Sequence, residues 1–181
     1  MVFLLDIVMQ MSYNYHMVIF DASTIILLAK IDMLGTFISH FHGKVLIPEK
    51  VKAEVCTEGR EETPLIVKLI EDKKIRVSKV MNSVLTRKLM EDFTIDAGEA
   101  DVLTLALQEK ALLVATDDRN TIRACKMLKI DFTTAIAILI RAFEKKLIDK
   151  EEALIKLQKL GAVARYKQTI IEDAKKQIEG R

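Results

Sequence analysis

Residues 96–119 read DAGEADVLTLALQEKALLVATDDR. Asp96-Ala97-Gly98-Glu99 has the form of a helix start, with Glu99 three residues after a capping acid, and the helix it opens runs to about Lys110. Residues 111–116, ALLVAT, are then apolar without alternation, as expected of a central parallel strand covered on both faces. The run stops at Asp117-Asp118. A helix feeding a buried strand that ends in acids is the unit of an α/β sheet, and it sets the reading of the rest of the chain.

Upstream, MVIFD at 17–21 is a second buried run ending in an acid, Asp21. Ser23 predicts a cap for a helix from Thr24 to about Leu34. KVLI at 44–47 is a third apolar run. Pro48 suits a first helical position, so Glu49 to Cys56 reads as a helix, ended by Gly59. Residues 63–72 put Leu65, Ile66, Leu69 and Ile70 on one helical face, 75–80 alternate like a strand, and 83–93 are helical. Downstream come a helix from about Asn120 to Leu128, a short strand at 129–133 and a helix at 134–147. Asp149 with Glu152 caps the next helix. Residues 150–160 and 168–178 then read as a helical pair joined around Gly161.

Strands alternating with helices give an α/β class with a short, mostly parallel sheet. At 181 residues, with half of them hydrophobic and no repeat or linker, the chain suits one domain. Its expected parts are residues 1–16, read either as an N-terminal extension or as preceding a native start at Met17, a core at 17–147 and a C-terminal helical appendage at 148–181. A net charge of +2 leans only weakly toward polyanions, because the placement of charge decides nucleic-acid binding. Cys56 and Cys125 lack metal-ligand spacing and read as reduced thiols, which points to the cytoplasm. His16, His40 and His42 form no zinc pattern. No apolar run reaches the roughly 20 residues of a membrane span, so no membrane partner is expected.

In open parallel sheets, ligands bind beyond the carboxyl ends of the strands. Asp21 and the Asp117-Asp118 pair close two of the best strands. Glu99 and Asp101 lie in the first turn of the helix feeding the last of these, and Glu54 follows the second strand. Clustered carboxylates repel unless one protonates or a cation neutralises them. An oxygen-only set suits a hard ion, Mg²⁺ or Mn²⁺. Each acid also has an ordinary structural role open to it. Asp21 can cap a helix, Glu54 can pair with Lys50 one turn earlier, and Glu99 can complete a capping box. Asp101 can act on the helix dipole, and one of Asp117 and Asp118 can be an N-cap.

Four segments, VIFDASTIILLAK, VLIPEKVKAEV, DAGEADVLTLALQEK and LLVATDDR, together resemble a PIN domain over roughly residues 17–145. The resemblance is closest to the prokaryotic branch related to VapC-type toxins. It implies a small α/β/α sandwich, a divalent-metal site and ribonuclease activity on single-stranded or structured RNA. By motif match Asp21 is the first metal-site acid and Glu54 the second. The third is Glu99 or Asp101, with Glu99 favoured and Asp101 assisting, and the fourth is Asp117 or Asp118. Ser23 matches a position where the family often has a hydroxyl near the metal. Arg119, with Arg123, Lys126, Arg141, Lys145 and Lys146, is a candidate for contacting RNA phosphates. Homodimerisation follows from the same resemblance and from the chain's positive mean hydropathy, and a toxin-like role implies an antitoxin partner. A phosphoryl-transfer domain is the rival enzyme, but Ala22-Ser23 stands where a second aspartate would be needed. A catalytically silent RNA-binding scaffold is the non-enzyme rival.

Overall fold

All five strands expected from the sequence form, and all run parallel: β1 (Met17–Phe20), β2 (Lys44–Pro48), β3 (Ile75–Ser78), β4 (Leu113–Ala115) and β5 (Asp131–Thr133). The computed structural model describes residues 16–111 and 113–180. Of the expected extension at 1–16, only His16 falls among them. The strand order is β3-β2-β1-β4-β5. In register, Val18 lies between Val45 and Leu113, and Ile19 between Leu46 and Val114. Val18, Ile19, Phe20, Ile47, Leu113 and Val114 are wholly buried, which is why these strands read as unbroken apolar runs.

Among the described residues the helices are α1 (Ala22–Lys30), α2 (Leu34–His40), α3 (Glu49–Val55), α4 (Thr63–Glu71), α5 (Ser83–Phe93), α6 (Ala97–Gln108), α7 (Arg119–Leu128), α8 (Ala135–Glu144), α9 (Lys150–Val163) and α10 (Gln168–Glu179). From β1 the chain steps outward to β2 and β3, then returns past β1 to β4 and β5. Right-handed crossovers in opposite directions put α1 and α7 on opposite faces. α6 packs across β1, β2 and β4 with α5 and α7 against it, while α1 packs against α8 and α9. The result is a three-layer α/β/α sandwich. The order reverses between β1 and β4, so the crevice at their carboxyl ends is the ligand position of such a sheet.

Three local expectations need correction. α1 starts at Ala22, capped by Asp21 and not by Ser23, because Asp21 Oδ1 accepts the Ala22 N–H at 2.7 Å. It ends at Lys30, short of the expected Leu34. Asp32 there takes a left-handed φ of 56°, Met33 N–H returns to Leu28 O at 2.8 Å, and α2, unforeseen, begins. Finally, Gly161 does not join the C-terminal pair. It lies inside α9, where an added Cβ would sit 3.7 Å from Ile171 of α10, and the turn falls at 164–167.

The C-terminal pair is sewn into the core. α9 packs on α1 and α8, and α10 packs on α8 and α9. Lys156, only 7 % exposed, donates to Ile31 O at 3.0 Å and Asp32 O at 3.3 Å and pairs with Glu152 at 3.3 Å. A buried ammonium thus satisfies carbonyls at the carboxyl end of α1. Helix ends elsewhere use Lys73, Thr94, Lys110, Lys129 and Lys146 with φ between 53° and 57°, where glycine is usual. No single helix among the described residues is long and apolar enough to cross a membrane.

Candidate active site

Asp21 sits where β1 gives way to α1, and its backbone N–H bonds to Ala115 O at 2.9 Å, which ties it to β4. Its side chain is 5 % exposed. Oδ1 takes the Ala22 N–H, and Oδ2 accepts hydroxyls from Ser23 at 2.6 Å and Thr116 at 3.3 Å. Burial pushes this carboxyl up to about 6; the Glu54 charge adds to the rise, and the Ser23, Ala22 and Thr116 hydrogen bonds oppose it. The helix cap and the buried charge are therefore one and the same residue.

Thr116 bridges to the next acid. While its hydroxyl donates to Asp21, the same oxygen accepts the Asp118 N–H at 3.2 Å. Asp118 is the N-cap of α7, its Oδ1 accepting from Thr121 N at 2.8 Å and from the Thr121 hydroxyl at 3.0 Å. Glu99 forms the expected capping box: its Oε2 accepts the Asp96 N–H at 2.9 Å, and its own N–H reaches Asp96 Oδ1 at 2.9 Å. Burial foremost, with the charges of Asp118, Asp96 and Asp21 adding and the Asp96 N–H bond opposing, raises the Glu99 carboxyl to about 7. Glu54 is exposed on α3 and does not pair with Lys50. It leans over the first turn of α6, where a Cβ added to Gly98 would lie 3.9 Å from Glu54 Oε2 and 3.3 Å from Asp96 Oδ1.

The other two candidate acids point elsewhere. Asp117 turns inward and accepts from the Thr24 hydroxyl at 2.7 Å, from Ala135 N at 3.1 Å and from the Tyr166 hydroxyl. Burial raises its carboxyl, and these three donors hold the rise in check. Asp101 pairs with Lys50 at 3.0 Å and accepts from the Thr86 hydroxyl at 3.2 Å, which is itself 3.0 Å from Thr104 Oγ1. Ser23 spends its hydroxyl on Asp21. Arg119 is exposed at the first position of α7, beside Asp118.

Four of the candidate acids thus act on one another near the carboxyl ends of β1 and β4, Asp21, Glu54, Glu99 and Asp118, and the capping acid Asp96 acts on Glu99 as well. Among the described residues no three such side chains stand close enough to form a closed ligand set. The donor chemistry nonetheless fits a hard cation. All donors are carboxylate oxygens, and two are pushed up by burial and by other acids, a condition that a positive ion relieves. Sequence reasoning missed Thr116 and Tyr166, and read Asp96 only as the cap that it is. A hydroxyl immediately before the acid pair was a signal for Thr116; Tyr166 arrives from 49 residues away, with no local signal.

Compared with known families, the chain matches the PIN domain over residues 17–179, which includes the C-terminal helices. No curated protein and no solved structure gives a significant match.

Proposed function

The chain belongs to the PIN-domain family, whose members are generally nucleases, and from that premise we propose that it is a Mg²⁺- or Mn²⁺-dependent endoribonuclease. What supports the proposal is that Asp21, Glu54, Glu99 and Asp118 lie on strand ends and first helical turns about the switch point, and that burial and neighbouring acids raise Asp21 and Glu99. When bound, a hard divalent ion supplies an oriented water and stabilises charge on a phosphoryl group.

The chain's own groups prepare for this. Ser23 and Thr116 fix the Asp21 carboxylate by donating to Oδ2. The Asp96 N–H occupies Glu99 Oε2, so Oε1 faces the remaining duties of cation ligation or of holding a proton near neutral pH. Glu54 and Asp118 complete the oxygen set from the two sides. Asp117 and Asp101 serve as props, the first locking the loop that carries Asp118, the second the first turn that carries Glu99. Arg119, exposed next to Asp118 at the start of α7, is assigned to a substrate phosphate. The two free thiols, Cys56 and Cys125, support a reducing cytoplasm as the place of action. A homodimer and a toxin-like pairing with an antitoxin belong to the same reading; light scattering that finds only monomer at high micromolar concentration removes the first.

The test is cleavage of labelled single-stranded RNA across a Mn²⁺ titration, repeated in EDTA. Cleavage that tracks the metal and is lost in Asp21→Asn is the expected result. RNA binding with no cleavage under any divalent ion favours a silent RNA-binding scaffold instead.

A further inference from the structure

The end of the sheet opposite the acids carries a second concave feature. A pocket of about 260 Å³ opens between the carboxyl end of α2, the start of β2 and the turn leading into β3. His42, Lys44, Lys73, Lys74 and Arg76 line it, with no acid among its lining residues. All five are exposed. Within the described residues none forms a salt bridge, whereas Lys88, Lys159 and Lys175 each find an acid. Glu71 and Asp72 precede Lys73 in the chain but stand outside the lining.

The walls are well fixed. Lys73 N–H returns to Ile70 O at 3.0 Å and Lys74 N–H to Leu69 O at 2.9 Å, which pins the turn bearing both lysines. At Gly43 an added Cβ would lie 2.7 Å from the Phe41 ring and 2.9 Å from the His16 carbonyl, so backbone and ring close that side and only glycine fits. Exposed lysines are usually just solvated. Cations gathered round one concavity without a counter-ion repel each other, and an anion reverses that energy. The volume lies below the range of roughly 300–1,000 Å³ typical of whole small-molecule ligands. It suits a phosphate group, and the exposed rim suits a chain of them.

We propose that this pocket seats backbone phosphates of single-stranded RNA, as a sequence-independent anchor remote from the acids. The proposal rests on reading the acid crevice as RNA-cutting. Arg76 offers a planar fork to a phosphate, and the lysines act as point charges. The strands between the two sites are three to five residues long, a separation on the order of 15 Å at about 3.3 Å per residue. β3 is the edge strand on the pocket's side of the sheet, so an RNA strand passes around it. Such contacts hold and orient substrate without reading its bases.

The experiment measures anisotropy of a fluorescent single-stranded RNA with the full chain in EDTA, over a salt series. It compares wild type with the triple variant Lys73→Glu, Lys74→Glu, Arg76→Glu, and with Lys74→Gln alone. The triple variant should bind at least about tenfold more weakly, with a log–log salt slope shallower by about 2, from about 0.7 per lost contact on a single strand. Lys74→Gln should lose about one contact's share, and melting should match wild type in both. Unchanged affinity and slope in a triple variant that melts normally overturn the proposal. So does saturable inorganic phosphate binding that the variant abolishes while RNA binding stays intact, since the pocket then serves a free anion. If wild type cuts no RNA with any divalent ion yet the variant still loses RNA binding, the anchor stands and the nuclease reading fails.

Discussion

Asp117 and Asp118 are neighbours in sequence with opposite surroundings. Asp117 faces donors: two hydroxyls and the N–H that opens α8. Asp118 also takes donors, from Thr121, but its charge presses on Glu99 and belongs to a group of acids. The same split separates Glu99 from Asp101 two residues on, where Asp101 has Lys50 and Thr86. Asp117 and Asp101 meet donors and, for Asp101, a cation. Asp21 also meets donors, but the charge of Glu54 opposes its own, as Asp118, Asp96 and Asp21 oppose Glu99; an acid opposed by other acids gains most from a cation.

The largest test of that division sets Asp21→Asn against Asp117→Asn. Asp21→Asn is expected to lower metal-dependent cleavage by about two to three orders of magnitude, since an ion holding phosphoryl charge is worth several kcal/mol. Its metal-free melting temperature should hold or rise, because a buried anion is gone. Asp117→Asn should do the reverse, retaining most activity per folded molecule and melting lower. Cleavage assays beside thermal melts read both. If both variants lose activity alike with unchanged melting, the division is wrong.

Next in size is the pH dependence of the metal-free protein. Burial raises the Asp21 carboxyl from 3.8 to about 6 and the Glu99 carboxyl from 4.5 to about 7. Between those values the folded chain holds protons that the unfolded chain has released. Stability from these groups is therefore present at low pH and lost as pH climbs through the folded values. For Asp21 the loss is about 3 kcal/mol between pH 4 and 7, roughly 6–12 °C of melting temperature for a chain of this size. Subtracting the Asp21→Asn profile from that of wild type isolates it, and saturating Mn²⁺ should flatten it. A difference profile that rises with pH contradicts the assignment.

Asp101→Ala sharpens the scaffold side. It removes the partner of half-exposed Lys50 and the charged acceptor of the Thr86 hydroxyl, which keeps Asn82 O at 3.3 Å, for a cost of about 1–2 kcal/mol. Denaturant titration should show this with Mn²⁺ affinity little changed; a tenfold fall in that affinity would move Asp101 into the acid group. The smallest effect is expected far from either group. Lys129→Gly, at a left-handed helix end with φ 57°, should stabilise by about 0.5–1 kcal/mol, and a lower melting point would show that the lysine side chain matters there.

Much of the sheet was legible because its signals are local. Unbroken apolar runs such as VIF and LVA mark strands covered on both faces, and Asp96, Pro48 and Asp149 mark helix starts through their own chemistry. The α1–α2 break was not, because a lone aspartate is only a weak left-handed signal and the break is held by Lys156, more than 120 residues on. The candidate acids were legible as a set, since strand ends and first turns converge in any sheet of this order. Which of Asp117 and Asp118 turns inward was not. That depends on Thr24, Ala135 and Tyr166, three partners brought by folding from three other elements.

The contact between Lys156 and the end of α1 has a consequence in time. It spans 125 residues, and a chain made from its N-terminus cannot form it until α9 has emerged. Until then the carbonyls of Ile31 and Asp32 lack their ammonium, and Asp117 lacks the tyrosine from beyond α9. A nascent chain can pair its first strands early, yet its acid-bearing loops stay unbraced through most of synthesis. These two contacts, to the end of α1 and to Asp117, are therefore completed only when the C-terminal part of the chain has been made.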